Sequence, residues 1–133
     1  MAYSGSKPSP AKNVLGQTLE PCGVDPVTGF FRDNCCNTGP DDQGVHTVCC
    51  IVTEKFLEAS ARLGNDLSTP MPQYGFPGLK AGDRWCVCAA RWLQTQRAGA
   101  ACPVVLESTH EATLEIVPFD ILLQFAVIPE TLQ

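Results

Sequence analysis

The sequence predicts an α+β fold: a single compact domain in which a small mixed sheet of about three strands packs with short helices and long Pro/Gly-rich loops. Its 133 residues are enough to bury one hydrophobic core. Hydrophobic residues at 44% and charged residues at 17% are typical of a globular protein. Short β-branched runs and short segments of helical period occur in the same chain, and 11 prolines and 11 glycines indicate many turns.

The chain divides into three parts by composition. Residues 1–13 carry Ser, Gly and Pro without periodicity, which predicts a flexible N-terminal arm. Residues 14–126 form the predicted globular domain. Residues 127–133 follow the last apolar segment, and we expect a frayed tail there.

The first strand and the first helix are predicted in the middle of the chain. The β-branched run at 45–52 is typical of a buried strand. Thr53 is a suitable N-cap for a helix over 54–63, and Gly64 is suited to end it. Residues 65–83 contain three prolines and are expected to form a long loop.

The remaining elements are short. A second strand is predicted over 84–89, a helix over 90–98 and a third strand over 104–107. A capping-box pattern that begins at Ser108 predicts a helix that ends near residue 117. A last short helix is predicted over 120–126.

Charge and hydropathy exclude two classes of partner. The net charge is −5 and the nine basic residues are scattered singly, which argues against nucleic acid. The longest nearly apolar run, 119–128, is too short to span a bilayer, and the first residues lack the apolar core of a secretory signal. We therefore expect a cytoplasmic protein with no membrane partner and reduced thiols. A small molecule, a protein and a second copy in a homodimer remain open as partners.

Eight cysteines carry most of the chemical information. They fall below the share of about 8–10% that marks a disulfide scaffold, so free thiols are the favoured interpretation. Cys86 and Cys88 share one face of the predicted strand together with Arg84. Their Cα atoms would lie about 6.5–7 Å apart, too far for a relaxed disulfide but suitable for two ligands of one Zn²⁺.

Further metal ligands are less well defined by spacing. Cys35 and Cys36 are adjacent in a predicted loop and can turn towards Cys86 and Cys88, with Cys49 as a substitute. By strand alternation His46 shares a face with Cys50 and not with Cys49, unless the strand starts after His46. Cys35, Cys36, Cys49, Cys86 and Cys88 are therefore the candidate zinc ligands.

Two histidines could serve as the base of a thiol enzyme. The catalytic candidates are Cys86, Cys88, His46 and His110. The first turn of a predicted helix contains His110, where the helix dipole favours the neutral ring. A histidine bonded to the local backbone is the more frequent role at such a position.

A binding pocket is the third class of site. Asn65 and Asp66 follow the first helix in the long loop, and loops of this length are often functional. With Arg84 and His110 they form the candidate pocket residues. The alternative role of Asn65 and Asp66 is to shape the helix exit through side-chain-to-backbone bonds.

Several stretches together resemble a small family known only as domain of unknown function 2237. They are CCNTGP at 35–40, HTVC at 46–49, GNDLSTP at 64–70, YGFPGLK at 74–80, GDRWCVCA at 82–89 and THE at 109–111. The resemblance covers about residues 14–126 and implies no activity. It implies that Cys50 and Cys102 are departures and that six cysteines belong to the family pattern: Cys22, Cys35, Cys36, Cys49, Cys86 and Cys88.

Three hypotheses for function follow. The first is a small intracellular binding or structural module with buried free cysteines. It comes first because it requires no particular arrangement of the unusually spaced cysteines. The second is a protein that binds zinc through cysteine thiolates. The third is a thiol-dependent or redox enzyme with a reactive cysteine near His46 or His110.

Overall fold

The computed structural model describes residues 11–127 of the chain as a small mixed α/β protein. Two strands, β1 (His46–Ile51) and β2 (Arg84–Cys88), form an antiparallel sheet. The described residues also contain three α-helices and three short 3-10 helices. The helices are α1 (Glu54–Arg62), α2 (Ala89–Arg97) and α3 (Phe119–Gln124), and the 3-10 helices are Pro72–Tyr74, Leu106–Ser108 and Glu111–Glu115.

Local sequence signals explain the central helices. Thr53 accepts a hydrogen bond from the backbone of Phe56 at the start of α1, and Gly64 follows its end with φ +93°. Phe56 and Leu57 lie on the buried face of α1. The α2 helix begins directly after β2, and the Trp92 side chain is fully buried, with its indole N–H donating to the Cys102 carbonyl. The predicted strands and helices in this part of the chain are confirmed.

The pairing of β1 with β2 contains one irregularity. Cys49 lies opposite Cys86 and Val48 opposite Val87, but the register shifts between His46 and Val48. The shift leaves Thr47 as the extra residue of a β-bulge, and His46 then pairs with Cys88.

The two faces of this sheet have different environments. Val48 and Val87 face the main core, which also contains Phe56 and Trp92. Cys49 and Cys86 face a second, smaller cluster that consists of sulfur atoms and is packed against Val105.

The predicted third strand is wrong, and the helix predicted after it forms only as the shorter 3-10 helix Glu111–Glu115. In the described residues Val104 makes only isolated bridges, an antiparallel one with Cys50 and a parallel one with Ala126. The chain then turns into the 3-10 helix Leu106–Ser108, so the sheet has two strands and is antiparallel rather than mixed. Ser108 is not an N-cap, because its hydroxyl donates to the Pro21 carbonyl.

Both ends of the described chain contact the domain. Lys12 and Asn13, assigned to the arm by composition, form backbone bridges with Thr18 and His110, and Asn13 is buried. The amide of Val127 donates to the Val104 carbonyl. The other residues of the predicted arm and tail, 1–10 and 128–133, lie outside the described residues.

None of the helices in residues 11–127 is long and apolar enough to cross a membrane.

Candidate functional site

Four of the eight cysteines form two disulfides. Cys22 is bonded to Cys49, with Cα atoms 5.6 Å apart, and Cys36 is bonded to Cys86, with Cα atoms 5.2 Å apart. The bonds connect β1 and β2 to the segment that precedes them in the chain. The sequence-based preference for free thiols is therefore wrong for these four residues.

The two disulfides are neighbours in a buried cluster. The Sγ atoms of Cys22, Cys36 and Cys49 all lie within 4.8 Å of one another, and Cys36 is bonded to Cys86. The side chains of this sulfur cluster are at most 2% exposed. Its geometry follows from the sheet, because Cys49 and Cys86 are opposite each other on paired strands.

The predicted zinc ligands separate into two groups in the structure. Cys36, Cys49 and Cys86 lie in the sulfur cluster, whereas Cys35 and Cys88 belong to neither disulfide and are half-buried. The fourth member, Cys22, was absent from the predicted ligand set. The signal that pointed to it was its place among the six family-pattern cysteines.

A cavity of about 570 Å³ lies along β2. The residues from Trp85 to Cys88 line it, so it follows this strand, whose backbone at Cys86 donates to the Thr28 hydroxyl. Apolar side chains form a large part of its wall. They include Phe30, Leu67, Met71, Phe76, Trp85 and Val87.

The charged side chains that line this cavity are all cationic. Arg32 and Arg91 contribute guanidinium groups, and no carboxylate of the described residues lines the cavity. Arg32 lies over the Trp85 ring, 5.5 Å from its centroid, and donates to the Gly29 carbonyl. Arg91 donates to the Leu63 carbonyl at 2.9 Å. A guanidinium has five N–H donors, so both groups keep donors for a ligand.

His46 lines the same cavity and is oriented by a buried carboxylate. Its Nδ1 lies 2.6 Å from Oδ1 of Asp42, whose side chain is 0% exposed. The second oxygen of Asp42 accepts from the His46 amide and from the Thr38 hydroxyl. A carboxylate can only accept, so this network places the imidazole proton on Nδ1 and leaves Nε2 as the acceptor.

The bulge brings Cys88 and His46 to the same face of the sheet. They are direct partners in the β1–β2 register, and both line the cavity. Simple alternation predicted His46 on the Cys50 face, and this prediction is wrong because the extra residue at Thr47 reverses it. Of the four catalytic candidates, the structure thus brings Cys88 and His46 together, and Cys86 lines the same cavity as part of a disulfide.

The fourth catalytic candidate, His110, lies elsewhere. It is the N-cap of the 3-10 helix Glu111–Glu115, where its Nδ1 accepts from the Ala112 amide at 3.0 Å. Burial lowers the pKa of His110, and the neighbouring Glu111 opposes this effect. These contacts are those of a histidine that satisfies the local backbone.

The four pocket candidates do not share one cavity. Asn65 lines the large cavity, and Arg84 lines a shallower one and donates to the Cys22 carbonyl at 3.4 Å. Asp66 is exposed and accepts from Ser68 and Thr69, and these hydrogen bonds lower its pKa. Asp66 and His110 line neither cavity.

Cys50 and Cys102 are buried in the main core. Burial raises the pKa of the Cys50 thiol well above its usual value, and the hydrogen bond and proximity of Cys102 raise it further. A thiol of this kind stays protonated and unreactive at neutral pH. The sequence had separated the same two residues from any shared site.

Comparison with known proteins identifies the family and no activity. A family model described as "Uncharacterized protein conserved in bacteria (DUF2237)" matches residues 12–126. No curated protein matches the chain.

Proposed function

Since the chain belongs to the uncharacterized DUF2237 family, we propose from its own geometry that it is a small-molecule binding protein whose ligand is an anion with an apolar body. The observation that carries the proposal is the composition of the cavity along β2. In a chain of net charge −5, the only charged side chains of the described residues that line it are the guanidinium groups of Arg32 and Arg91.

The dimensions and the walls of the cavity support a small molecule. About 570 Å³ lies within the usual range for ligand pockets, roughly 300–1,000 Å³. Aromatic and aliphatic walls can cover the body of a ligand, while guanidinium forks can bind a carboxylate, a sulfonate or a phosphate. Asn65 adds an amide that can donate to or accept from the ligand.

A matched pair of fluorescent probes tests this proposal. The anion 1-anilinonaphthalene-8-sulfonate should bind saturably and more tightly than its neutral counterpart N-phenyl-1-naphthylamine. Arg91→Gln should weaken the binding of the sulfonate about tenfold or more, since a charge-assisted hydrogen bond contributes about 1.5–3 kcal/mol. Binding of the neutral probe should change little.

Arg97→Gln is the matched control, because Arg97 is an exposed arginine of the same helix and does not line the cavity. It should leave both probes unaffected. Equal effects of the two arginine variants on sulfonate binding, or the absence of saturable binding, would contradict the proposal.

A second candidate function rests on the sulfur cluster. Cys22, Cys36, Cys49 and Cys86 are four buried sulfurs in one place, and three of them lie within 4.8 Å of one another. Four thiolates at Zn–S distances of about 2.3 Å make a closed structural zinc site. The cytoplasmic location predicted from the sequence would favour thiols, whereas an oxidising compartment would favour the two disulfides.

Metal titration of the reduced protein tests this candidate. After reduction under anaerobic conditions, one Zn²⁺ or one Co²⁺ per chain should bind, and Co²⁺ should show the absorption of tetrahedral thiolate coordination. Cys22→Ser should lose this binding, whereas Cys35→Ser should keep it because Cys35 lies outside the cluster. Loss of binding in Cys35→Ser with retention in Cys22→Ser would overturn the assignment.

A further inference from the structure

The cavity wall contains a cysteine, a histidine and an aspartate arranged in series. Asp42 accepts from Nδ1 of His46, so Nε2 is the nitrogen available to take a proton. Cys88 is the direct cross-strand partner of His46. Side chains in such pairs have Cβ atoms about 4.5–5.5 Å apart, within reach of each other by rotation about single bonds.

Cys88 also occupies a special position along the chain. It is the last residue of β2 and the N-cap of α2, a helix of nine residues, and its side chain makes no capping hydrogen bond. The first N–H groups of a helix have no partner within it, and the N-terminal end carries a partial positive charge. A negative charge that develops on this sulfur, or on a substrate oxygen beside it, is stabilised there.

The imidazole of His46 is held in place from two further sides. It stacks on Phe30, with ring centroids 6.4 Å apart. On another side it packs on Gly44, where an added Cβ would lie 2.5 Å from Cε1 of the ring. The backbone of Gly44 therefore lies against this imidazole, which fixes where Nε2 lies in the cavity wall.

From this arrangement we infer that Cys88 is a nucleophile and His46 its general base, with Asp42 as the positioning residue, in an acyl-transfer site. A pair of nucleophile and base that is oriented by a third group is the general signature of covalent catalysis. The substrate class is a small thioester or activated ester that carries a negative charge. This substrate class rests on the anion-binding function proposed for the cavity.

The reaction balances without an oxidant, a reductant or a metal. The thiol of Cys88 gives its proton to Nε2 of His46, and the sulfur forms a bond with the acyl carbon. The bond from this carbon to the leaving group breaks, and the leaving oxygen or sulfur takes the proton from His46. Water then hydrolyses the acyl-cysteine, with His46 as base, which releases the acid and restores the thiol.

Alkylation of the intact protein at neutral pH tests the nucleophile directly. Mass spectrometry of peptides should show that iodoacetamide modifies Cys88 faster than Cys35, which is also half-buried and outside both disulfides. His46→Gln should lower the rate at Cys88 about tenfold or more, since a positioned base contributes factors of about 10²–10⁴ to a reaction. Cys35→Ser is the control and should leave the rate at Cys88 unchanged.

Ester hydrolysis tests the acyl step. With p-nitrophenyl acetate, the protein should release one equivalent of p-nitrophenol in a burst and carry an acetyl group on Cys88. Cys88→Ser should abolish the burst. Asp42→Asn should reduce its rate and alter its pH profile, because an amide that donates to Nδ1 moves the imidazole proton to Nε2. Should Asp42→Asn fail to fold, His46→Gln provides the same test.

Failure of this inference can be distinguished from failure of the proposed function. Alkylation of Cys88 at the rate of Cys35, or a rate that His46→Gln leaves unchanged, would overturn the nucleophile. The ratio of the iodoacetate rate to the iodoacetamide rate tests the anion site separately. It should be higher at Cys88 than at Cys35 and should fall in Arg91→Gln. A ratio equal at the two cysteines would overturn the anion site alone.

Discussion

The two faces of the β1–β2 sheet have different chemistry although they belong to the same two strands. One face presents Val48 and Val87 to the main hydrophobic core. The other presents Cys49 and Cys86 to the sulfur cluster. Since alternate residues of a strand point to opposite faces, the sequence Trp85-Cys86-Val87-Cys88 places apolar groups on one side and thiols on the other. One face of this short sheet therefore packs in the hydrophobic core, and the other carries the sulfur atoms of the two disulfides.

The bulge at Thr47 adds the pair His46–Cys88 to the face that carries Cys49 and Cys86, which we call the reactive face. Without it, His46 would lie on the core side, and Cys88 would face a different residue of β1. With it, an imidazole held by Asp42 joins the face that carries Cys86 and Cys88. A single extra residue therefore decides whether this face has a base.

The two disulfides of the reactive face should contribute most to the free energy of unfolding. Removing the Cys36–Cys86 bond with the double substitution Cys36→Ala and Cys86→Ala should lower the free energy of unfolding by about 4 kcal/mol. Removing the Cys22–Cys49 bond in the same way should cost about 3.5 kcal/mol. The difference follows from loop length, because the first bond joins residues 50 apart and the second residues 27 apart.

Urea unfolding of each variant, followed by circular dichroism, measures these losses. Mass spectrometry of the unreduced protein is the control, since two disulfides leave four thiols to alkylate after denaturation. Eight alkylated cysteines without reduction would show that the sulfurs are not bonded, and the comparison between the faces would then concern thiols alone.

The face that packs on the main core should affect the free energy of unfolding without affecting the reactivity of Cys88. Val48→Ala removes two methyl-sized groups from a side chain that is 0% exposed and does not line the cavity, which should lower the free energy of unfolding by about 2 kcal/mol. The alkylation rate of Cys88 in the folded protein should remain that of the parent. A large change in this rate would mean that the two faces are coupled through β1.

Removal of a buried thiol from the core should lower the free energy of unfolding by a smaller amount. Cys102→Ala removes the sulfur that contacts Cys50 and should cost about 1 kcal/mol, close to the contribution of one hydrogen bond. In the parent protein neither Cys50 nor Cys102 should react with iodoacetamide until urea unfolds the chain. Labelling of either one in the folded protein at the rate of Cys88 would remove the chemical distinction between the faces.

Local signals in the sequence were sufficient to predict the strands and helices between residues 46 and 97. Thr53 and Gly64 bound α1 because capping depends on a few neighbouring residues. The third strand failed because a strand requires a partner along its length. Val104 finds Cys50 and Ala126, but the next residues turn into a 3-10 helix.

The candidate site was predicted only in part, because it depends on the strand register and on contacts between residues that are far apart in the sequence. The sequence named Cys88 and His46 as candidates, but strand alternation placed His46 on the face opposite Cys49. This placement was wrong because a bulge at Thr47 reverses it, and such a bulge has no simple sequence signature. No motif in the sequence singles out Asp42, although its side chain is 0% exposed and lies against His46. Disulfide partners far apart in sequence, such as Cys22 and Cys49, cannot be deduced from spacing alone.

Substitution of His110 should change the free energy of unfolding least. Its local role contrasts with the role of His46 on the reactive face. The His110 amide donates to the carbonyl of Thr47 in the bulge, and its ring accepts from the Ala112 amide. Protonation of Nδ1 would break the second bond. Because burial lowers the pKa of His110 in the folded protein, the unfolded chain takes up the proton first as the pH falls.

The contribution of His110 is therefore fully present above the pKa of an unfolded histidine, about 6.5. It is lost progressively as the pH falls from there to the lowered pKa of the folded protein. Urea midpoints measured from pH 8 to pH 5 should fall more steeply for the parent than for His110→Gln, which has no proton to gain. If the midpoints of His110→Gln fall as steeply as those of the parent, the local role assigned to His110 is wrong.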